Sequence, residues 1–318
     1  MAHTVRIGLF GVLTLLLTLS AFSQVNLRKA MDFDGDGKAD FTVFRPSNDV
    51  WYINKSSGGF TGTQFGLHAE DFTTPGDFDG DGKGDIAVYR DKTGTWYWLN
   101  SSDGTFHGFN FGLTGDEPVA RDYDGDGKTD IAVVRRTNGA MIWYIQHSAD
   151  TGYSAIQWGI STDLTAPGDY DGDGKFDVCV QRPGGTPTSQ ATFYALRSSD
   201  GGVVAQPWGF SNDLVTPGDY DGDGKTDFAV VREGATRTSN LTWYILKSSD
   251  GGVIAEVFGL TAEDVNVQND YDGDGKTDIA VWRDTNGTFY YKRSSDQGFS
   301  ALQWGQANDY PVASYDTH

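Results

Sequence analysis

Three features of the 318-residue sequence predict an all-β fold assembled from repeats. An acidic nonapeptide of the form DYDGDGKTD occurs six times, and its copies start 45, 45, 47, 50 and 51 residues apart. After every copy comes the same series of short β-type runs and turns. Nothing reads as a long amphipathic helix. A period of this size marks a repeat architecture, so the unit is read before the whole.

The unit begins with a short extended segment, such as Pro118-Val119-Ala120-Arg121, leading into the nonapeptide. A run ending in arginine follows: FTVFR to Arg45, IAVYR to Arg90, IAVVR to Arg135, VCVQR to Arg182, FAVVR to Arg232 and IAVWR to Arg283. These near-continuous apolar runs suit sheets covered on both faces. The third segment carries an aromatic pair, Trp51-Tyr52 in the first unit and Trp143-Tyr144 in the third. A Ser/Asp/Gly turn such as Ser101-Ser102-Asp103-Gly104 precedes the fourth segment, which ends in aromatic-Gly, as at Phe65-Gly66 and Trp158-Gly159. Turn residues separate all four segments, the pattern of short strands in an antiparallel sheet. Four strands in 45–51 residues make a blade of a β-propeller. The expected fold is therefore a propeller of six four-stranded blades, with a seven-bladed ring as the alternative. Length varies mainly between the second and third strands, where Pro183–Thr192 and Glu233–Thr242 are the longest inserts.

Both chain ends carry information. Residues 1–23 combine Arg6, an apolar run from Ile7 to Phe22 and small residues near Ser23. That is the pattern of a secretory signal peptide and implies a secreted, cell-surface or periplasmic protein. The run is too short for a spanning helix, and no membrane span is expected in the mature chain. Residues 24–318 then form a single domain of six repeats plus a partial seventh. After Trp304-Gly305 the chain reads Asp309-Tyr310-Pro311-Val312-Ala313-Ser314-Tyr315, a first strand without its nonapeptide. Residues 311–315 are expected to close the first blade, which removes the open sheet edge.

The formal charge of −20 is local. The nonapeptides hold 24 of the 44 acidic residues and 6 of the 24 basic ones, leaving a net of about −2 elsewhere. No basic stripe is available for phosphates, so a nucleic-acid partner is disfavoured. Cys179, the single cysteine, lies in an apolar run and reads as a buried small residue, so the chain has no internal disulfide.

The acidic loop has the donors of a calcium site. Calcium takes six to eight oxygens, and acids at positions 1, 3 and 5 with Gly at 6 supply them. An EF-hand is excluded, because position 12 is valine in all six copies (Val43, Val88, Val133, Val180, Val230 and Val281) and falls in a β-type run. The aromatic-Gly, the Pro-Gly-Asp of Pro75-Gly76-Asp77, Pro167-Gly168-Asp169 and Pro217-Gly218-Asp219, and the acidic loop together resemble FG-GAP (VCBS-type) repeats. Those repeats build the integrin α-subunit propeller and many secreted bacterial propellers and lectins. The resemblance covers residues 27–316. It implies one Ca²⁺ per blade, about six in all, with the position-7 lysine lending its backbone carbonyl. The expected ligands are Asp32, Asp34, Asp36, Lys38 and Asp40; Asp77, Asp79, Asp81, Lys83 and Asp85; Asp122, Asp124, Asp126, Lys128 and Asp130; Asp169, Asp171, Asp173, Lys175 and Asp177; Asp219, Asp221, Asp223, Lys225 and Asp227; and Asp270, Asp272, Asp274, Lys276 and Asp278.

The resemblance does not specify a ligand, since one fold hosts many functions. The repeated arginines read as scaffold, paired with Asp71, Asp116, Asp163, Asp213, Asp264 and Asp309. The repeated aromatics read as packing, whereas Trp98, Phe106 and Trp282 appear unrepeated and free for function. The five histidines are scattered without a zinc or serine triad, so no catalytic residue is assigned. The functional expectation is a non-catalytic binding or adhesion module for a glycan or a surface protein. The alternative is a carbohydrate-active hydrolase or lyase, or a scaffold component of a larger surface assembly.

Overall fold

The structure, a computed structural model, describes residues 30–150 and 152–313. The expected signal segment lies outside the described residues, as do Ser314 and Tyr315 of the closing segment. Six four-stranded antiparallel sheets form a six-bladed β-propeller. From first to fourth strand, blade two consists of Asp71–Thr73, Ile86–Arg90, Thr95–Leu99 and Phe106–Asn110. Blade three consists of Glu117–Pro118, Ile131–Thr137, Ala140–Gln146 and Tyr153–Ile160. Blade four is Leu164–Thr165, Val178–Arg182, Gln190–Leu196 and Val203–Phe210. Blade five is Leu214–Val215, Phe228–Arg232, Asn240–Leu246 and Val253–Leu260. Blade six is Asp264–Asn266, Ile279–Arg283, Thr288–Lys292 and Phe299–Gln303.

Blade one is assembled from both ends of the chain. Its outer strands are Phe41–Arg45, Val50–Asn54 and Phe60–Gln64, and its inner strand is Tyr310–Val312. Val312 pairs with Thr42 and Tyr310 with Phe44. The ring therefore closes as expected, although the paired strand starts one residue earlier than residue 311. The first strands elsewhere are also shifted: Pro118 is the last paired residue of its strand, and Arg121 makes only an isolated bridge with Asp130. The ends of the inserts are corrected too, since Gln190–Thr192 and Asn240–Thr242 belong to the third strands and the loops proper are residues 183–189 and 233–239.

The second strands are buried on both faces, with Val43, Val133, Val180 and Val230 fully inaccessible. The aromatic pair divides its labour because successive strand residues point to opposite faces. Trp51, Trp96, Trp143, Phe193, Trp243 and Phe289 are buried between blades, while their tyrosine neighbours are half-buried. Cys179 is buried as expected. The aromatic-Gly tryptophans join adjacent blades: the indole N–H groups of Trp158, Trp208 and Trp304 donate to the carbonyls of Tyr194, Tyr244 and Tyr52 at 2.9, 3.1 and 3.0 Å. The glycine beside them is required. Gly159 has φ +96°, and a Cβ there would lie 3.0 Å from Val180. No helix among the described residues is long and apolar enough to cross a membrane.

Candidate functional site: six acidic loops and the face opposite

Each acidic loop connects the first and second strands of its blade, and each Ser-rich turn connects the third and fourth. Antiparallel connectivity places both at one end of the blade, and they touch. The position-1 carboxylate turns inward. In the third loop, Asp122 accepts the N–H of Gly125 at 2.6 Å and of Gly127 at 2.9 Å. These glycines have φ +79° and +91°, so the chain curls around the carboxylate in a backbone region that side chains disfavour. The position-9 carboxylate joins loop to turn. Asp130 accepts the N–H of Tyr123 at 2.9 Å on one oxygen and the N–H of Ser148 at 2.7 Å on the other. The equivalent pairs recur at Asp40, Asp85, Asp177, Asp227 and Asp278.

The turn serines also cap the loop, a role the sequence reading missed. The second serine of the turn donates its hydroxyl to the position-3 acid in five blades: Ser57 to Asp34, Ser102 to Asp79, Ser199 to Asp171, Ser249 to Asp221 and Ser295 to Asp272, all at 2.5–2.6 Å. The recurrence of Ser-Ser at the head of the turn in five units was the available signal.

The loops also touch one another. The position-8 N–H of each loop donates to the position-1 carbonyl of the loop before it: Gly84 to Asp32, Thr129 to Asp77, Phe176 to Asp122, Thr226 to Asp169, Thr277 to Asp219 and Ala39 to Asp270, at 2.6–2.9 Å. Each position-7 lysine side chain lies across the position-4 glycine of the preceding loop, as Lys175 does over Gly125 and Lys38 over Gly273. Six acidic loops thus form a continuous hydrogen-bonded ring.

The electrostatics of this ring fit a hard cation. The carboxylate oxygens of Asp32, Asp34 and Asp36 lie within 4.8 Å of one another, as do those of Asp122, Asp124 and Asp126. Burial pushes the position-9 carboxyls of Asp177, Asp227 and Asp278 up to about 7, with neighbouring acids adding to the rise. Burial likewise raises Asp122 and Asp169 to about 6, against the lowering effect of the glycine N–H groups. Crowded, desolvated carboxylates with an all-oxygen donor set are what a dication would neutralise.

The second-strand arginines pair with the acids expected for them. Arg45 binds Asp309, Arg90 binds Asp71, Arg135 binds Asp116, Arg182 binds Asp163, Arg232 binds Asp213 and Arg283 binds Asp264, each through two N–H groups at 2.7–3.0 Å. Every guanidinium also lies 4.3–4.9 Å from the ring centre of the tyrosine in its own blade's aromatic pair. One oxygen of each aspartate further accepts an N–H from the residue after aromatic-Gly in the preceding blade, for instance Ile160 onto Asp163 at 2.9 Å. The arginines are therefore committed to the scaffold.

The inserts occupy the other end of blades four and five, and both are pinned. The N–H of Gly184 donates to Ser211 at 2.7 Å, and that of Gly234 to Thr261 at 2.9 Å. Residues of blades one to four line an open cavity of about 380 Å³, among them Phe72, Pro75, Val119, Arg121, Arg136 and Pro167. The aromatics singled out as unrepeated change standing. Trp282 is buried, and Trp98 packs between Phe78 and His107. Phe106 does belong to a repeated series, at the start of the fourth strand, with Phe60, Tyr153, Val203, Val253 and Phe299. All six are exposed. One histidine does meet a serine and an acid. Nε2 of His147 lies 2.7 Å from the Ser154 hydroxyl, with Asp124 at 3.8 Å from Nδ1. That row resembles a serine triad, but blade six places Arg293 against Ser300 at the same positions, which marks the serine as a structural partner.

A family model described as FG-GAP-like repeat matches residues 32–88 and 122–180. No curated protein matches the chain. Among solved structures, the chain is similar to AofleA from Arthrobotrys oligospora at 9% identity and a TM-score of 0.53, covering 91% of this chain and 90% of that one. A mutant of the same protein with three arginines replaced by alanine gives 9% identity, a TM-score of 0.52 and the same coverage. At this identity the likeness extends to the fold alone.

Proposed function

Since the chain is an FG-GAP-repeat β-propeller protein, we propose that it is a secreted, calcium-loaded binding module, non-catalytic, that recognises a glycan or another surface molecule. The observation that carries the calcium half is the ring of six loops whose crowded, largely buried carboxylates converge within 4.8 Å of one another. Calcium at each loop staples the first-to-second connection to the third-to-fourth turn of the same blade. The sequence has a single cysteine, so these sites take the place disulfides hold in many exported proteins.

The binding half is supported by the division of the molecule into two ends. The loop end is repeated and held together by its own hydrogen bonds. The other end varies between blades, and its longest loops, residues 183–189 and 233–239, are fixed by the hydrogen bonds from Gly184 and Gly234. Varied loops on a rigid scaffold are where recognition commonly sits. A glycan array probed with the calcium-loaded full chain, with and without chelator, tests the reading. Binding is expected, and replacing both inserts by the short Asp284–Thr288 type of turn should abolish it while the thermal melt stays unchanged. Binding that survives the swap would move the site away from the inserts. A chain that binds no glycan or cell surface and cleaves polysaccharide would overturn the reading.

A further inference from the structure

Blade three departs from the other five beside its acidic loop. The residue that opens the third-to-fourth turn is Lys55, Asn100, Arg197, Lys247 or Arg293 elsewhere, each donating its N–H to the carbonyl that closes the turn. In blade three it is His147. Arg197, Lys247 and Arg293 bind the acid of their own turn, Asp200, Asp250 or Asp296, at 2.7–2.9 Å, and Lys247 and Arg293 at the same time lie near the loop acids Asp221, Asp227 and Asp272. The His147 ring turns toward the loop. Its Nδ1 is sealed from solvent, has no hydrogen-bond partner, and lies 3.8 Å from Asp124 Oδ2 and 3.9 Å from Asp130 Oδ2. Two residues on, Ala149 stands where the other blades have the serine whose hydroxyl caps the position-3 acid. Asp124 Oδ2 receives only the Ala149 N–H, at 3.2 Å.

Both departures act at one point. The serine that would occupy Asp124 is gone, and a ring nitrogen faces the oxygen it leaves. The spacing of 3.8–3.9 Å is too long for an N–H···O bond. Two donors bound to one tetrahedral zinc-class ion at 2.0–2.2 Å lie roughly 3.3–3.6 Å apart, within reach of a small side-chain rotation. The other ring nitrogen is already held by Ser154, and donation from Nε2 to that hydroxyl leaves the Nδ1 lone pair directed at the carboxylates. In that tautomer the lone pair and the two acids repel one another, and a cation bound between them removes the repulsion.

We propose that the blade-three loop is a mixed nitrogen–oxygen site for a divalent transition ion of the zinc class, bound by His147, Asp124 and Asp130. Neutral imidazole selects such ions, whereas all-oxygen loops suit calcium. The proposal rests on the reading above that the loops take cations, and it replaces calcium by a zinc-class ion at this one loop, leaving calcium to the other five.

The test uses the full chain, stripped with chelator and resaturated with calcium, and follows added Co²⁺ by equilibrium dialysis and visible absorption. One equivalent that excess calcium does not displace is expected. His147→Asn, which copies the Asn100 of blade two, should weaken it at least about tenfold with an unchanged melt in calcium. The pair Arg293→His and Ser295→Ala, placed over Ser300 in blade six, should create a second equivalent. No calcium-resistant cobalt, or cobalt that ignores His147→Asn and is lost in His68→Ala, overturns the proposal. Failure of calcium to bind the other five loops would instead overturn the calcium reading and leave the cobalt titration intact.

Discussion

At Arg135 a single side chain serves two groups at once: it pairs with Asp116 through two N–H groups and covers Tyr144, while Asp116 also accepts the Leu113 N–H of the preceding blade. The Asp116 side chain is almost fully buried while the arginine is about a quarter exposed. Removing the cation leaves a buried carboxylate without its partner, so Arg135→Ala should cost about 3–5 kcal/mol in chemical denaturation. Arg135→Lys should recover only part of that, because an ammonium cannot reproduce the planar two-point contact. An unchanged unfolding midpoint would show that the pair is dispensable. The pairing was legible in the sequence because both partners recur in all six units at matching positions. Ser102 and its counterparts also recur, yet their role was not legible. A serine in a turn reads as turn chemistry, and only the approach of two separate connections shows that its hydroxyl serves a carboxylate. Phe106 was misread for a related reason. Its series is aromatic in four blades and valine in two, so identity concealed a position that strand register makes plain.

The acidic loop is the element whose behaviour depends most on conditions. Its position-9 acids have native values of about 7 at Asp177, Asp227 and Asp278, raised from an ordinary 3.8 by burial. A raised native value means that the folded state holds these protons more tightly than the unfolded state. Their contribution to stability is then full below about pH 4 and lost as pH rises through 6 to 7. With calcium stripped, the protein should melt several degrees higher at pH 5 than at pH 7.5. With calcium bound, that order should reverse, because protons then compete with the metal. Thermal melts at the two pH values, with and without chelator, check the sign. The closing strand is the second decisive element. Deleting residues 307–318 removes Tyr310–Val312 and the Asp309 partner of Arg45, and exposes the edge of Phe41–Arg45. Aggregation or loss of a cooperative transition is expected, whereas a monomeric chain with an unchanged melt would show that the blade survives open. The existence and order of strands were legible from alternation and turn residues. Their ends were not: Pro118 stops pairing before the loop, and residues 190–192 extend a strand that turn-like composition had hidden.

For the whole molecule, the number of blades followed from counting units and from the partial seventh at the end of the chain, which supplies blade one with its inner strand. A ligand that binds only the folded state stabilises it by RT ln(1 + [L]/Kd). At extracellular calcium near ~1 mM and loop affinities of roughly 10⁻⁵ to 10⁻³ M, one site contributes about 0.4–2.7 kcal/mol. The calcium-loaded loops together rival the ~5–15 kcal/mol of a typical domain. Excess chelator should therefore lower the melting temperature sharply, and calcium should restore it; superimposed curves after verified metal removal would rule out calcium as the staple. The loop-to-loop bonds add a constraint of their own. Gly84 to Asp32, and so on round to Ala39 to Asp270, link every site to two neighbours. On such a closed cycle, separation is counted in both directions, and no site is ever more than three steps from another. Emptying two adjacent sites, by Asp124→Ala with Asp171→Ala, should therefore give a non-additive loss, since they share a link. Asp79→Ala with Asp221→Ala silences two sites at opposite points of the circle, and those losses should simply sum. The molecule would then have an internal compass, in which the penalty for a pair of lesions reports the angle between them.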